Sequence, residues 1–119
     1  MIDDATRYHL LKLLVERPES TQRDLAAAMN FSLGKTNYCI KALVGMGLVK
    51  IENIRGNSDK AVCAYLLTPE GVHEKAQVTV RFLHRKMAEY DVLQTEIAAL
   101  RREVDDLGTL GLYVRKRAI

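Results

Sequence analysis

Cysteine is scarce in this chain of 119 residues, and its two copies, Cys39 and Cys63, cannot build a disulfide framework. Neither lies in a CxxC spacing, and His9, His73 and His84 show no ligand spacing with them or with each other, so no metal and no cofactor is expected. No apolar run approaches the roughly 20 residues of a membrane span. The N-terminal stretch MIDDATRYHL is acidic and lacks the apolar core of a secretion signal. No internal repeat or low-complexity segment occurs. Catalytic signatures are missing too. There is no carboxylate pair, nucleophile–base pair, phosphate loop or dinucleotide fingerprint, which argues against an enzyme. These absences leave a cytoplasmic protein with no membrane partner as the expectation.

What is present describes a folded domain. The chain is 48% hydrophobic and 28% charged, too apolar to be disordered throughout. Its length fits one domain of ordinary size with an appended helix. The net charge of +3 is unevenly spread. Residues 1–67 hold nine Lys/Arg against seven Asp/Glu, residues 68–107 hold six against eight, and the tail adds Arg115, Lys116 and Arg117. A mildly basic front half permits nucleic-acid binding without establishing it.

Helix signals come first along the chain. Asp3 and Asp4 are good caps for a helix over 4–16, with Tyr8, Leu11, Leu14 and Val15 as its buried face and Arg17-Pro18 as its stop. Ser20 or Thr21 caps a short helix over 22–29, with Leu25, Ala26 and Met29 inward. Asp24 sits where a capping box needs an acceptor. Asn30-Phe31 reads as a tight turn. Ser32 caps a third helix over 33–46, which Gly47 closes in the left-handed conformation. A short helix, a three- or four-residue turn and a second helix make a helix-turn-helix. The period then changes. Leu48 to Arg55 reads as a strand, Gly56-Asn57-Ser58-Asp59 as a turn, and Lys60 to Thr68 as the returning strand. Thr68-Pro69-Glu70 opens a last helix that runs to Leu107, with Gly71 an early weak spot. The expected fold is mainly α with a small β-hairpin (α+β). A winged helix-turn-helix occupies 1–68, a long coiled-coil dimerisation helix 69–107 and a basic tail 108–119.

On a wheel of about 100° per residue, Thr36, Ile40, Leu43 and Gly47 of the third helix share one side. Gly34, Asn37, Tyr38 and Lys41 take the other, with Lys35 at the flank and Ser32 at the cap. Such a face suits the major groove: Asn reads adenine bidentately, Lys reaches guanine or phosphate, and Gly permits close approach. An exposed Tyr38 is easier to explain by DNA contact than by folding. The plain alternative is a solvated helix face. Arg55, Asn57 and Lys60 flank or form the hairpin turn and can hold phosphates beside the minor groove, unless they form an ordinary charged tip. Gln22 and Arg23 begin the second helix, where N–H groups can also hold a phosphate; the alternative is that Arg23 is a surface residue. Cys39 and Cys63 are expected as small buried hydrophobes rather than redox sensors.

The run SLGKTNYCIKALVGMGLVKIENIRG, followed by AYLLTPEG, resembles the MarR-type winged-helix regulators, and among them the subgroup found with bacterial exopolysaccharide gene clusters. The likeness covers residues 7–101. It implies a homodimeric bacterial repressor or activator, with its reading helix at 32–46 and its wing at 55–60. Typical members have a longer N-terminal helical segment that helps form the dimer and the ligand pocket. Almost nothing precedes Asp4 here, so the usual phenolic-ligand pocket is not expected, and a small-molecule effector stays unassigned.

From Val72 the apolar residues step by four and three. Val72, Ala76, Leu83, Tyr90, Leu93, Ile97, Leu100, Val104 and Leu107 fill nine of eleven seam positions; Thr79 and Lys86 are the exceptions. Such a repeat argues for a coiled coil. The stretch from Val72 to Leu83 is expected to pack on its own domain, and the rest on a second copy. With Leu83, Tyr90, Ile97 and Val104 at a, the g positions are Phe82, Glu89, Glu96 and Glu103; the glutamates would meet in an antiparallel pair, whereas a parallel pair sets Glu96 against Arg101. The expected function is therefore a sequence-specific regulator that binds double-stranded DNA as a homodimer on an inverted repeat. The alternative is a winged-helix protein-interaction module without DNA binding. Lys35, Lys41, Arg55 and Lys60 count against it, because such modules usually lose their basic outward residues.

Overall fold

A computed structural model describes residues 2–55 and 61–112. The elements run α1 Asp4–Glu16, α2 Gln22–Met29, α3 Leu33–Gly45, β1 Val49–Arg55, β2 Ala61–Leu67 and α4 Pro69–Thr109. The expected mainly helical architecture with one hairpin is the observed one, and α4 extends two residues beyond its expected end. Two compact units, Met1–Phe82 and Leu83–Ile119, divide the chain inside α4.

Short polar side chains start each helix of the first unit. Asp3 accepts from Thr6 N at 2.8 Å, and Ser32 accepts from Lys35 N at 3.1 Å. Thr21 and Asp24 form the reciprocal capping box: Asp24 N donates to Thr21 Oγ1 at 3.1 Å, and Thr21 N donates to Asp24 Oδ2 at 3.0 Å. Those bonds from Thr21 hold the Asp24 carboxyl below the usual carboxylate range. Helix ends are equally specified. Asn30 adopts φ 56° after α2, and Phe31 N returns to Ala26 O at 2.9 Å. Gly47 adopts φ 75° after α3, and Leu48 N returns to Leu43 O at 3.0 Å. Both are Schellman closures, which satisfy carbonyls that a helix end leaves open. Asn tolerates the left-handed region and Gly is at home there.

The first unit packs on Leu10, Leu11, Leu14, Leu25, Ile40, Leu43, Val49 and Val78, all fully buried. Each such side chain contributes roughly 1.5–3 kcal/mol against exposure. Thr36 is the buried polar residue among them, and its hydroxyl donates to Ser32 O at 2.9 Å. Val15, expected on the buried face of α1, is 53% exposed. Leu10 takes that role instead, and Val15 lies where α1 has no neighbour to cover it. Tyr8 is half-buried and stacks on Phe82 at 4.6 Å between ring centroids. Beside it Arg7 pairs with Glu74 at 3.3 Å, while Arg81 pairs with Asp4 at 2.9 Å and Glu74 at 3.2 Å. Hydrogen bonds to Asp4 and Glu74 hold the Arg81 guanidinium charged. The first turns of α4 thus belong to the same unit as α1.

The hairpin is antiparallel, with Val49 opposite Leu67, Ile51 opposite Tyr65 and Asn53 opposite Cys63. Tyr65 N donates to Pro18 O at 2.9 Å, which fastens β2 to the α1–α2 connection. Cys63, expected to be buried, is exposed, and its thiol donates to Asn53 Oδ1 at 3.3 Å. The reason is that core contacts end at Ala64 and Tyr65. Farther out, Glu52 and Asn53 are exposed as well. Gly71 is also not the weak spot expected of a helical glycine. It is buried, and a Cβ there would run into the Leu48 carbonyl, so glycine is what lets α4 close onto the residue that leads into β1.

Candidate nucleic-acid interface

The turn Asn30–Ser32 joins α2 to α3, and the two capped ends set the angle between them. Leu25, Ala26, Thr36, Ile40 and Leu43 face inward, which leaves the opposite side of α3 outward. Gly34, Lys35, Tyr38 and Lys41 are all exposed there, Tyr38 at 56%. Nothing lies within 4 Å of a Cβ built on Gly34, so the backbone is open to close approach at that point. Ser32 is exposed, and its oxygen is occupied in capping. Its O–H remains able to donate. Lys35 holds its ammonium 4.0 Å from the centroid of Phe31, a cation–π contact within the turn.

Asn37 departs from its expected posture. It is half-buried rather than fully outward, and its Oδ1 accepts from Gln22 Nε2 at 3.2 Å. Gln22 Nε2 also lies 3.5 Å from the Tyr65 hydroxyl. Gln22 is half-buried, while its neighbour Arg23 is exposed at the start of α2. Phe31 and Tyr65 support this surface from behind, through Lys35 and Gln22, and neither is legible in that role from the sequence. A single aromatic in a turn and one in a strand carry no distinguishing spacing. The side chain of Arg55, together with Asn57 and Lys60, lies outside the described residues, as do Arg115, Lys116 and Arg117 of the tail.

Cys39 sits on α3 and is 3% exposed, as expected of a small buried hydrophobe. Burial pushes its thiol pKa up, against a smaller opposing pull from Lys35. A raised thiol pKa disfavours the reactive thiolate.

In the second unit Leu83, Tyr90, Leu93, Ile97, Leu100 and Leu107 are exposed, and Val104 is half-buried. These are the expected seam residues, and together they form a long apolar stripe. Within this unit Lys86, the charged residue at a seam position, pairs with Glu89 at 3.0 Å. No helix among the described residues is long and apolar enough to cross a membrane.

Three helices, a capped turn between the second and third, and a hairpin after the third define a winged helix-turn-helix domain. A family model described as winged helix-turn-helix DNA-binding matches residues 3–50, the segment that holds the outward face of α3. No curated protein sequence matches the chain. Among solved structures, the adhesin competence repressor AdcR of Streptococcus pyogenes aligns over 92% of this chain and 78% of its own, at 23% identity and a TM-score of 0.63. Apo MarR of Escherichia coli aligns over 84% and 77%, at 20% identity and a TM-score of 0.57. AbsC of Streptomyces coelicolor, a MarR family transcriptional regulator, aligns over 83% and 75%, at 20% identity and a TM-score of 0.53. At these identities the likeness is one of fold: the chain has the architecture of MarR-type regulators.

Proposed function

We propose that this protein is a MarR-type transcription regulator that binds duplex DNA sequence-specifically as a homodimer on an inverted-repeat operator. The observation that carries the reading is the outward face of α3. Gly34, Lys35, Tyr38 and Lys41 stand exposed on the second helix of a helix-turn-helix. Gly34 lets the helix approach the groove floor. Lys41 reaches guanine or phosphate, and Tyr38 supplies apolar contact with base edges or sugar. Arg23 and the first N–H groups of α2 hold a phosphate and set the register of the domain on the duplex. Arg55, Asn57 and Lys60 of the wing add contacts beside the minor groove. The apolar stripe from Leu83 to Leu107 joins two copies, since a symmetric pair buries the same stripe twice. The resemblance of the SLGKTNYC run supports exopolysaccharide gene clusters as the regulated genes.

Selection of bound duplexes from a random library tests this reading. The expected product is an inverted repeat with half-sites about 34–36 Å apart. Binding should weaken steeply with salt, because each neutralised phosphate releases counterions. A library that yields no enriched sequence overturns it.

A further inference from the structure

Gln22 opens α2, Asn37 lies in the second turn of α3, and Tyr65 lies on β2. Three separate elements thus meet at one amide. Gln22 Nε2 donates to Asn37 Oδ1 at 3.2 Å and to the Tyr65 oxygen at 3.5 Å. Gln22 Nε2 thus sits between an acceptor on α3 and one on β2, and its bond to Asn37 is the shorter of the two. Tyr65 is 8% exposed, and its backbone is fastened to Pro18, so the far end of this relay is fixed.

Asn37 is constrained in turn. One lone pair of its Oδ1 is taken, and both hydrogens of its Nδ2 remain available. An amide free to turn over can present either oxygen or nitrogen to a base. An amide held by its oxygen presents nitrogen. The base edges that match are those with acceptors in the major groove: purine N7, guanine O6 and thymine O4. We propose that Gln22 and Tyr65 are positioning residues that hold the Asn37 amide by its oxygen, so that Asn37 selects acceptor edges and its selectivity depends on the strand behind the wing. This rests on the DNA-reading assignment above and adds to it the specificity at one base pair.

Selection from random duplexes with the full chain tests the relay. Asn37→Ala first identifies the operator position that Asn37 reads, because preference flattens there. Gln22→Leu should lower preference at that same position by about 2- to 12-fold, the weight of one net hydrogen bond. Other positions should stay as in wild type. Adding Asn37→Ala to Gln22→Leu should change that position no further than Asn37→Ala alone. Tyr65→Phe should act in the same direction more weakly, because Gln22 keeps its bond to Asn37. Gln22→Glu offers acceptors only and suits the first turn of a helix, so it folds even if Gln22→Leu does not. It should turn Asn37 over and move the preferred base toward adenine or cytosine, whose edges offer an amino group. Circular dichroism and melting check that each variant is folded. A wild-type protein that enriches no sequence overturns the DNA-reading assignment and the relay with it. An enriched site that Gln22→Leu and Gln22→Glu leave unchanged overturns the relay alone. So does an even loss across all sequences in Gln22→Leu, which is the mark of a phosphate contact.

Discussion

Gly71→Ala sets two effects of opposite sign against each other. Replacing a helical glycine by alanine stabilises an unobstructed helix by up to about 1 kcal/mol. Gly71 is the third residue of α4, so the gain at this end is smaller. Against it stands a collision. A Cβ would strike the Leu48 carbonyl oxygen, and it would lie 3.3 Å from Leu67 Cβ. The obstacle is backbone and cannot rotate away. That carbonyl also accepts from Thr68 N at 3.0 Å, so moving it strains the bond that joins the hairpin to α4. Overpacking of this kind costs typically about 1–3 kcal/mol. The collision wins, with a net loss of about 1–2 kcal/mol expected. In a unit of this size such a loss lowers the melting temperature by roughly 4–16 °C.

Gly34→Ala is the internal control. Nothing lies within 4 Å of a Cβ at Gly34, the second residue of α3, so the same substitution there should stabilise by a fraction of the about 1 kcal/mol of a mid-helix site. Melting curves of wild type and both variants at one protein concentration decide the matter, because dimerisation makes the midpoint depend on concentration. A Gly71→Ala protein that melts at or above wild type would refute the close-packed reading of this junction. Gly34→Ala should also weaken operator binding while it raises the melting point, since the added methyl stands between the helix backbone and the groove.

Four further outcomes are expected. Tyr38→Ala and Lys41→Ala should each weaken operator binding by about 1–3 kcal/mol where a base contact is lost; fluorescence anisotropy at fixed salt measures it, and wild-type affinity in both would remove α3 as the reading helix. Leu93→Glu combined with Leu100→Glu should convert a dimer at micromolar concentration into a folded monomer by sedimentation, and an unchanged dimer would displace the seam. A thiol reagent should modify Cys63 quickly in the native protein and reach Cys39 only on unfolding, as their exposed and buried positions require. The raised Cys39 pKa adds a pH dependence: its contribution to stability is full below the ordinary thiol pKa and is lost as pH rises through the folded value. Cys39→Ala should therefore lose less stability than wild type in alkaline buffer, and parallel losses would contradict that assignment.

Local signals carried most of the fold into the sequence. Asp3, Thr21 with Asp24, and Ser32 each lie within three residues of the N–H they cap, so helix starts could be read directly. Asn30 and Gly47 mark left-handed closures through residue type alone. What failed was non-local. Val15 matches the apolar spacing of α1 as well as Leu10 does, and only the neighbouring helices decide which of them is covered. Cys63 fits an alternating strand, and only the extent of the core decides that it faces water. Gly71 looks like a defect until Leu48, more than twenty residues earlier, is brought against it.

The site follows the same division, and this has a consequence for how specificity is built. The outward residues Gly34, Tyr38 and Lys41 share one helix, so their common face follows from a wheel. The partners of Asn37 do not. Gln22 is separated from it by 15 residues, and Tyr65 is separated from Gln22 by 43. On the proposed reading, the type of side chain offered to a base is thus written locally, while the orientation of its amide is written by distant elements. A change at Gln22 or Tyr65 can alter which base is preferred without touching the reading helix. Two chains with an identical stretch over 32–46 should therefore differ in operator preference when they differ at those two residues.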